Sequence, residues 1–147
     1  MLDKTGMFHG LSSLFKLDIN AADAYNKVLE QIDDIDVKQR IAEYRDDHNR
    51  HADTLSDLIH KMCEVPPERT KDIKDYLMEG FTAIRSAMGE KAAIKALEEN
   101  EIITNRKYKD ACNWDVDSHI KLIIEKHYQD EKVHLSYIQG LLHTKGR

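Results

Sequence analysis

The chain has 147 residues, 41% hydrophobic and 33% charged, with a formal net charge of −5. That length buries one core of ordinary size, and the composition fits neither a membrane protein nor a disordered chain. Six glycines and two prolines are too few for a turn-dense β-sandwich or barrel, and basic residues mixed evenly with acidic ones argue against nucleic acid as a ligand.

Residues 1–10 lack the charged-then-apolar layout of a secretion signal and are expected as an N-terminal arm. Helical periodicity then predicts a first helix over 11–32 and a second over 36–62. The Asp33-Asp34-Ile35-Asp36 cluster separates them, with Asp36 expected as the N-cap. Pro66-Pro67 is expected to end the second helix, because proline cannot donate and clashes one turn back. A shorter amphipathic helix is expected over 71–88, within a crossover spanning 65–89, and Gly89 closes it. A third helix over 90–112 and a fourth over 116–143 follow, separated by Asn113-Trp114-Asp115. Two αα-hairpins joined by a long connection make an all-α four-helix bundle, one domain over residues 1–147. No apolar run reaches the ~20 residues that span a bilayer. Cys63 and Cys112 lie far apart and form no CxxC pair, which points to a reducing cytoplasm.

The two hairpins repeat each other without gaps at an offset of 83, with nine identities over positions 18–60. Tyr25 aligns with Tyr108, Asp47 with Asp130 and His51 with His134. Asp18 aligns with Glu101, and His48 with Glu131. Acidic and histidine positions recur in step, which implies a bundle with pseudo-two-fold symmetry.

Apolar residues spaced three and four apart draw a seam along each helix. The second helix reads Ile41, Tyr44, His48, His51, Leu55, Leu58 and Met62. The fourth reads Ile120, Ile124, His127, Glu131, His134, Ile138 and Leu141. Glu101 sits in the seam of the third helix, and Asp18 in that of the first. All six inward ionisable groups fall at mid-length, so antiparallel hairpins bring them into one layer. Buried charges need partners, and three carboxylates with three imidazoles suit divalent iron, manganese or zinc.

On these residues the chain resembles the ferritin-like superfamily over about 11–143. The resemblance rests on Asp18, His51, Glu101 and Glu131-x-x-His134. The spacing from Asp18 to Tyr25, repeated from Glu101 to Tyr108, is similar to that of bacterioferritins and rubrerythrins. The short helix before the third is similar to that of small bacterial ferritin-like bundles. The resemblance implies a di-iron or di-manganese carboxylate site and a role in iron storage, peroxide consumption or oxygen activation. It makes Asp18 and Glu101 terminal ligands, Glu131 a bridging carboxylate, and His51 and His134 ligands to one ion each. Two positions depart from the pattern. Asp18 is one methylene shorter than the usual Glu, and His48 stands where the second bridging Glu is expected. His48 then becomes an extra ligand, and a looser pair, a single ion or zinc in place of iron come into view.

Tyr25 and Tyr108 read either as hydrogen-bonding neighbours of the ligands or as core residues. His60 and His143 read as surface residues, and His127 as core or outer support. Asp46 and Asp47 are expected to face solvent, although a small helix rotation would let Asp47 replace the missing carboxylate. The competing function is a metal-free ferritin-like bundle, a non-catalytic stress or partner-binding protein that kept the fold and lost the site. A phosphorelay bundle is disfavoured, because His51-Ala52-Asp53-Thr54-Leu55 lacks a following lysine and lies in the apolar seam. Partners are expected to be metal ions and possible further copies of the chain, with no nucleic acid and no membrane.

Overall fold

Four helices follow one another in the computed structural model, which describes residues 1–69 and 89–145: α1 (Lys4–Leu29), α2 (Ile35–Lys61), α3 (Glu90–Ala111) and α4 (Ser118–Lys145). They form an all-α four-helix bundle in which α1 packs on α2, α3 on α4, α1 on α3 and α2 on α4. The expected helix over 71–88 lies outside the described residues. Among the described residues no helix is long and apolar enough to cross a membrane.

The seams predicted from periodicity become the core. Leu11, Ile41, Leu55, Leu97, Ile124 and Ile138 are fully buried, and burying each such side chain stabilises the fold by roughly 1.5–3 kcal/mol. His60 and His143 are exposed at their helix ends, as expected.

Helix boundaries depart from the sequence reading in three places, each with a local cause. Residues 1–10 are not an arm, because α1 starts at Lys4. The Asp3 carboxylate caps it by accepting from the Gly6 N–H at 2.7 Å. The cap of α2 is Asp34 rather than Asp36. Its carboxylate accepts from the amides of Asp36 and Val37 at 3.0 and 3.1 Å. Asp117 does the same for α4, accepting from Ile120 N–H at 3.0 Å. Val37 and Ile120 are themselves 83 positions apart, so the repeat extends to the caps.

The end of α2 precedes the prolines. Cys63 takes a left-handed φ of 61°, its N–H donates to His60 O at 2.9 Å, and the Glu64 N–H donates to Ile59 O at 3.3 Å. This pair of bonds is a Schellman turn, with cysteine in the position glycine usually holds. Pro66 and Pro67 come after a helix that has already stopped.

Candidate metal centre

Each helix interrupts its apolar seam at mid-length with ionisable side chains. Asp18 from α1, His48 and His51 from α2, Glu101 from α3, and Glu131 and His134 from α4 are all 0% exposed. The bundle brings all six sequence-predicted residues together. At one end, Asp18 Oδ1 lies 2.8 Å from His48 Nδ1 and 3.3 Å from His51 Nδ1. At the other, Glu101 Oε1 lies 2.9 Å from His48 Nε2 and 3.5 Å from His134 Nδ1. Glu131 spans the two ends. Its Oε1 is 3.2 Å from His48 Nδ1 and 3.5 Å from His51 Nδ1, while its Oε2 is 3.1 Å from His134 Nδ1.

Both tyrosines lie fully buried in the core, and each also hydrogen-bonds a carboxylate of the layer. Tyr25 donates its hydroxyl to Glu101 Oε1 at 2.5 Å, and Tyr108 donates to Asp18 Oδ2. Each therefore crosses from one of the antiparallel pair α1 and α3 to the carboxylate of the other, as the repeat requires. Burial together with the Glu101 and Glu131 charges holds the Tyr25 phenol well above its ordinary value, so it stays a donor.

The outer faces of the histidines are held as well. His51 Nε2 lies 2.8 Å from Asp130 Oδ2, and His134 Nε2 lies 2.8 Å from Asp47 Oδ2. Arg50 joins these two carboxylates, 2.9 Å from Asp47 Oδ1 and 3.2 Å from Asp130 Oδ2. Asp47 therefore neither faces solvent freely, as expected, nor replaces the missing bridging carboxylate. It fixes His134 from outside, leaving Nδ1 turned inward. Asp46 is exposed, as expected.

Ring stacking completes the support. His127 stacks on His51 at 3.9 Å between centroids, and Tyr44, its repeat equivalent, lies 4.3 Å from His134. His127 Nδ1 also lies 3.2 Å from the Tyr108 hydroxyl. Asn105 ties α3 to α4 by donating to the backbone carbonyls of Glu101 at 2.8 Å and Glu131 at 3.0 Å. Sequence reasoning missed the work of Asp130, Arg50 and Asn105. The pattern Asp-x-x-x-His, present at Asp47–His51 and again at Asp130–His134, was the available signal.

Among the protein's own groups the layer is a mutual ion-pair network. Burial lowers the affinity of each inner imidazole for a proton, but the surrounding carboxylates more than reverse it. Glu131 with Asp18 and Glu101 lifts His48 to about 9. Asp130, Asp18 and Glu131 lift His51 to about 11, and Asp47, Glu101 and Glu131 lift His134 to about 12. Burial raises the carboxyls of Asp18 and Glu101, yet the imidazoles hold both below the usual carboxylate range. His127 goes the other way: burial and the neighbouring His51 charge push it down to about 3, so it stays neutral.

Two four-residue groups present ligand atoms within 4.8 Å of one another: Asp18, His48, His51 and Glu131, and His48, Glu101, Glu131 and His134. Glu131 Oε1 is buried and accepts no hydrogen bond, although two imidazole nitrogens flank it. A cation between Asp18 and His51 gives that oxygen the partner it lacks. The donor set of carboxylate oxygens and imidazole nitrogens, with no thiolate, fits borderline divalent transition ions.

These features define a class: an all-α four-helix bundle whose centre is a buried layer of carboxylates and imidazoles that could hold a metal ion. The chain belongs to the DUF2383 family, described as a domain of unknown function, which matches residues 7–114. That span carries Asp18, His48, His51 and Glu101 and ends before α4, where Glu131 and His134 reside. No curated protein matches the chain.

Proposed function

We propose that this layer binds divalent metal ions, and that the chain is a single ferritin-like domain for iron handling or defence against reactive oxygen in the cytoplasm. The observation that carries the reading is the pair of four-residue groups sharing His48 and Glu131. Asp18 and His51 would hold one ion and Glu101 and His134 the other, with Glu131 reaching both. Iron is the first candidate, with manganese and zinc as alternatives of the same donor chemistry. A redox-active ion there would supply electrons to peroxide or oxygen. The protein's own part is to orient. Asp130 and Asp47 aim the Nδ1 lone pairs inward, Tyr25 and Tyr108 hold the terminal carboxylates, and the apolar seam excludes water.

A second reading has one observation in its favour. His48 sits between Asp18 and Glu101 and pairs with both, so three imidazoles balance three carboxylates without an ion. On that reading the chain is a metal-free bundle that binds partners.

Melting of protein purified without a metal-affinity tag separates the two. Adding iron(II) or manganese(II) anaerobically at about 100-fold over Kd stabilises a binding protein by about 2.7 kcal/mol, a Tm rise of roughly 5–10 °C at this size. The His51→Ala, His134→Ala double variant is expected to lose that rise. A wild-type Tm indifferent to both metals, with substoichiometric metal after loading, establishes the metal-free reading instead.

A further inference from the structure

His48 and Glu131 occupy equivalent positions in the two hairpins, and they are the one pair in the layer whose chemistry differs in kind. The contacts of the other four layer residues with their tyrosine and aspartate partners respect the pseudo-two-fold: Tyr25 to Glu101 with Tyr108 to Asp18, and His51 to Asp130 with His134 to Asp47. A carboxylate at the shared position serves two ions, since each oxygen carries its own lone pairs. Glu131 is placed to do so, with Oε1 toward His51 and Oε2 toward His134. A neutral imidazole cannot, because one ring nitrogen has the lone pair while the other carries the hydrogen.

Resting on the metal-binding reading above, we infer that His48 makes the centre fill in two unequal steps, because it offers the two ion positions one lone pair between them. Its ring lies across both positions. Nδ1 is 2.8 Å from Asp18 Oδ1 and 3.2 Å from Glu131 Oε1, and Nε2 is 2.9 Å from Glu101 Oε1. When Nδ1 ligates an ion beside Asp18 and His51, Nε2–H donates to Glu101. That hydrogen then points into the second position, and it occupies an oxygen already bonded by the Tyr25 hydroxyl. When Nε2 ligates beside Glu101 and His134, Nδ1–H donates to Asp18 Oδ1 and points into the first position, while the Tyr108 hydroxyl bonds the other oxygen, Oδ2. Either tautomer is satisfied, so the first ion completes four protein ligands. The second finds three, with a ring N–H turned toward it. The centre of this chain is therefore one strong and one weak position, where a carboxylate at residue 48 would make two strong ones.

Calorimetric titration of the tag-free full chain with zinc(II) tests this, zinc being diamagnetic and suited to nitrogen and oxygen ligands. The wild type is expected to bind a first ion and then a second about 5–150-fold more weakly, the range of ordinary site–site coupling. His48→Glu is expected to bind two ions in steps that do not resolve. His48→Ala leaves each position three protein ligands, and is expected to bind two ions equally but with lower affinity than the first wild-type step. Nitrogen-15 NMR of the wild type needs no variant. At one equivalent of zinc, His48 should show one metal-bound and one protonated ring nitrogen. Two ions bound with equal affinity by the wild type, or both His48 nitrogens metal-bound, overturns the inference and leaves the metal-binding reading standing. No zinc bound by the wild type overturns the inference, and a Tm indifferent to iron(II) and manganese(II) as well removes the metal-binding reading with it.

Discussion

Asp47 and Asp130 show how a half-exposed residue decides what a buried one does. Each takes the outer nitrogen of a histidine on the facing helix, which leaves the inner nitrogen as the one that can ligate. Burial raises Asp47, yet its bonded His134 and Arg50 hold it below its ordinary value, and His51 and Arg50 lower Asp130 to about 2. Outer partners of this kind typically change metal affinity 10–100-fold. Asp130→Asn keeps the shape and an accepting oxygen but removes the charge. It is expected to weaken metal binding by about that factor, read by competition with a chromogenic chelator, while leaving helix content unchanged. The inner residues were legible in the sequence because polar groups in an apolar seam violate the helical pattern, and a violation repeated 83 positions on is hard to attribute to chance. Asp47 and Asp130 were less legible because each violates nothing. Both lie where a helix normally carries charge, and only their contacts across α2 and α4 give them a role.

At the scale of helices, periodicity placed the seams and the turns, but it failed at the start of α1. Lys4–Gly10 contains charge, histidine and two glycines, so nothing there reads as a helix from propensity. Tertiary contacts supply what propensity lacks. The Leu2 N–H donates to Asp115 O at 2.7 Å, and the Trp114 ring packs against Gly10 so closely that a Cβ there would meet Cη2 at 2.7 Å. The first turns of α1 are thus docked on the turn between α3 and α4, a contact no local window contains. Gly10→Ala is therefore expected to lower Tm even though alanine is the better helix former by about 1 kcal/mol. The exposed Gly140 in α4 has nothing within 4 Å of an added Cβ, and Gly140→Ala is expected to raise Tm. Urea midpoints at unchanged m-value provide the comparison, and two shifts of the same sign would show that Trp114 yields to the new methyl.

The described residues form two pseudo-equivalent hairpins that meet at a charged centre, so stability follows proton occupancy there. His48, His51 and His134 have folded values near 9, 11 and 12 against an ordinary 6.5. A raised imidazole contributes stability that is complete below about 6.5 and is lost as the solution rises toward the folded value. His127, depressed to about 3, acts in the opposite sense and costs stability as pH falls below 6.5. Asp130 adds stability that is present above the ordinary carboxylate range and lost toward pH 2. Chelator-treated protein is therefore expected to be most stable near pH 6.5 and to lose Tm between there and pH 9. A bound ion changes the sign. It must displace the ring protons from the nitrogens it ligates, so its affinity climbs with pH, by roughly tenfold per pH unit for each proton displaced. Melting curves of one preparation at pH 6.5 and pH 9, with chelator and with saturating manganese(II), should then slope in opposite directions. Parallel slopes would mean that the ion sits somewhere other than among these imidazoles, because only ligands that exchange protons for metal couple the two equilibria.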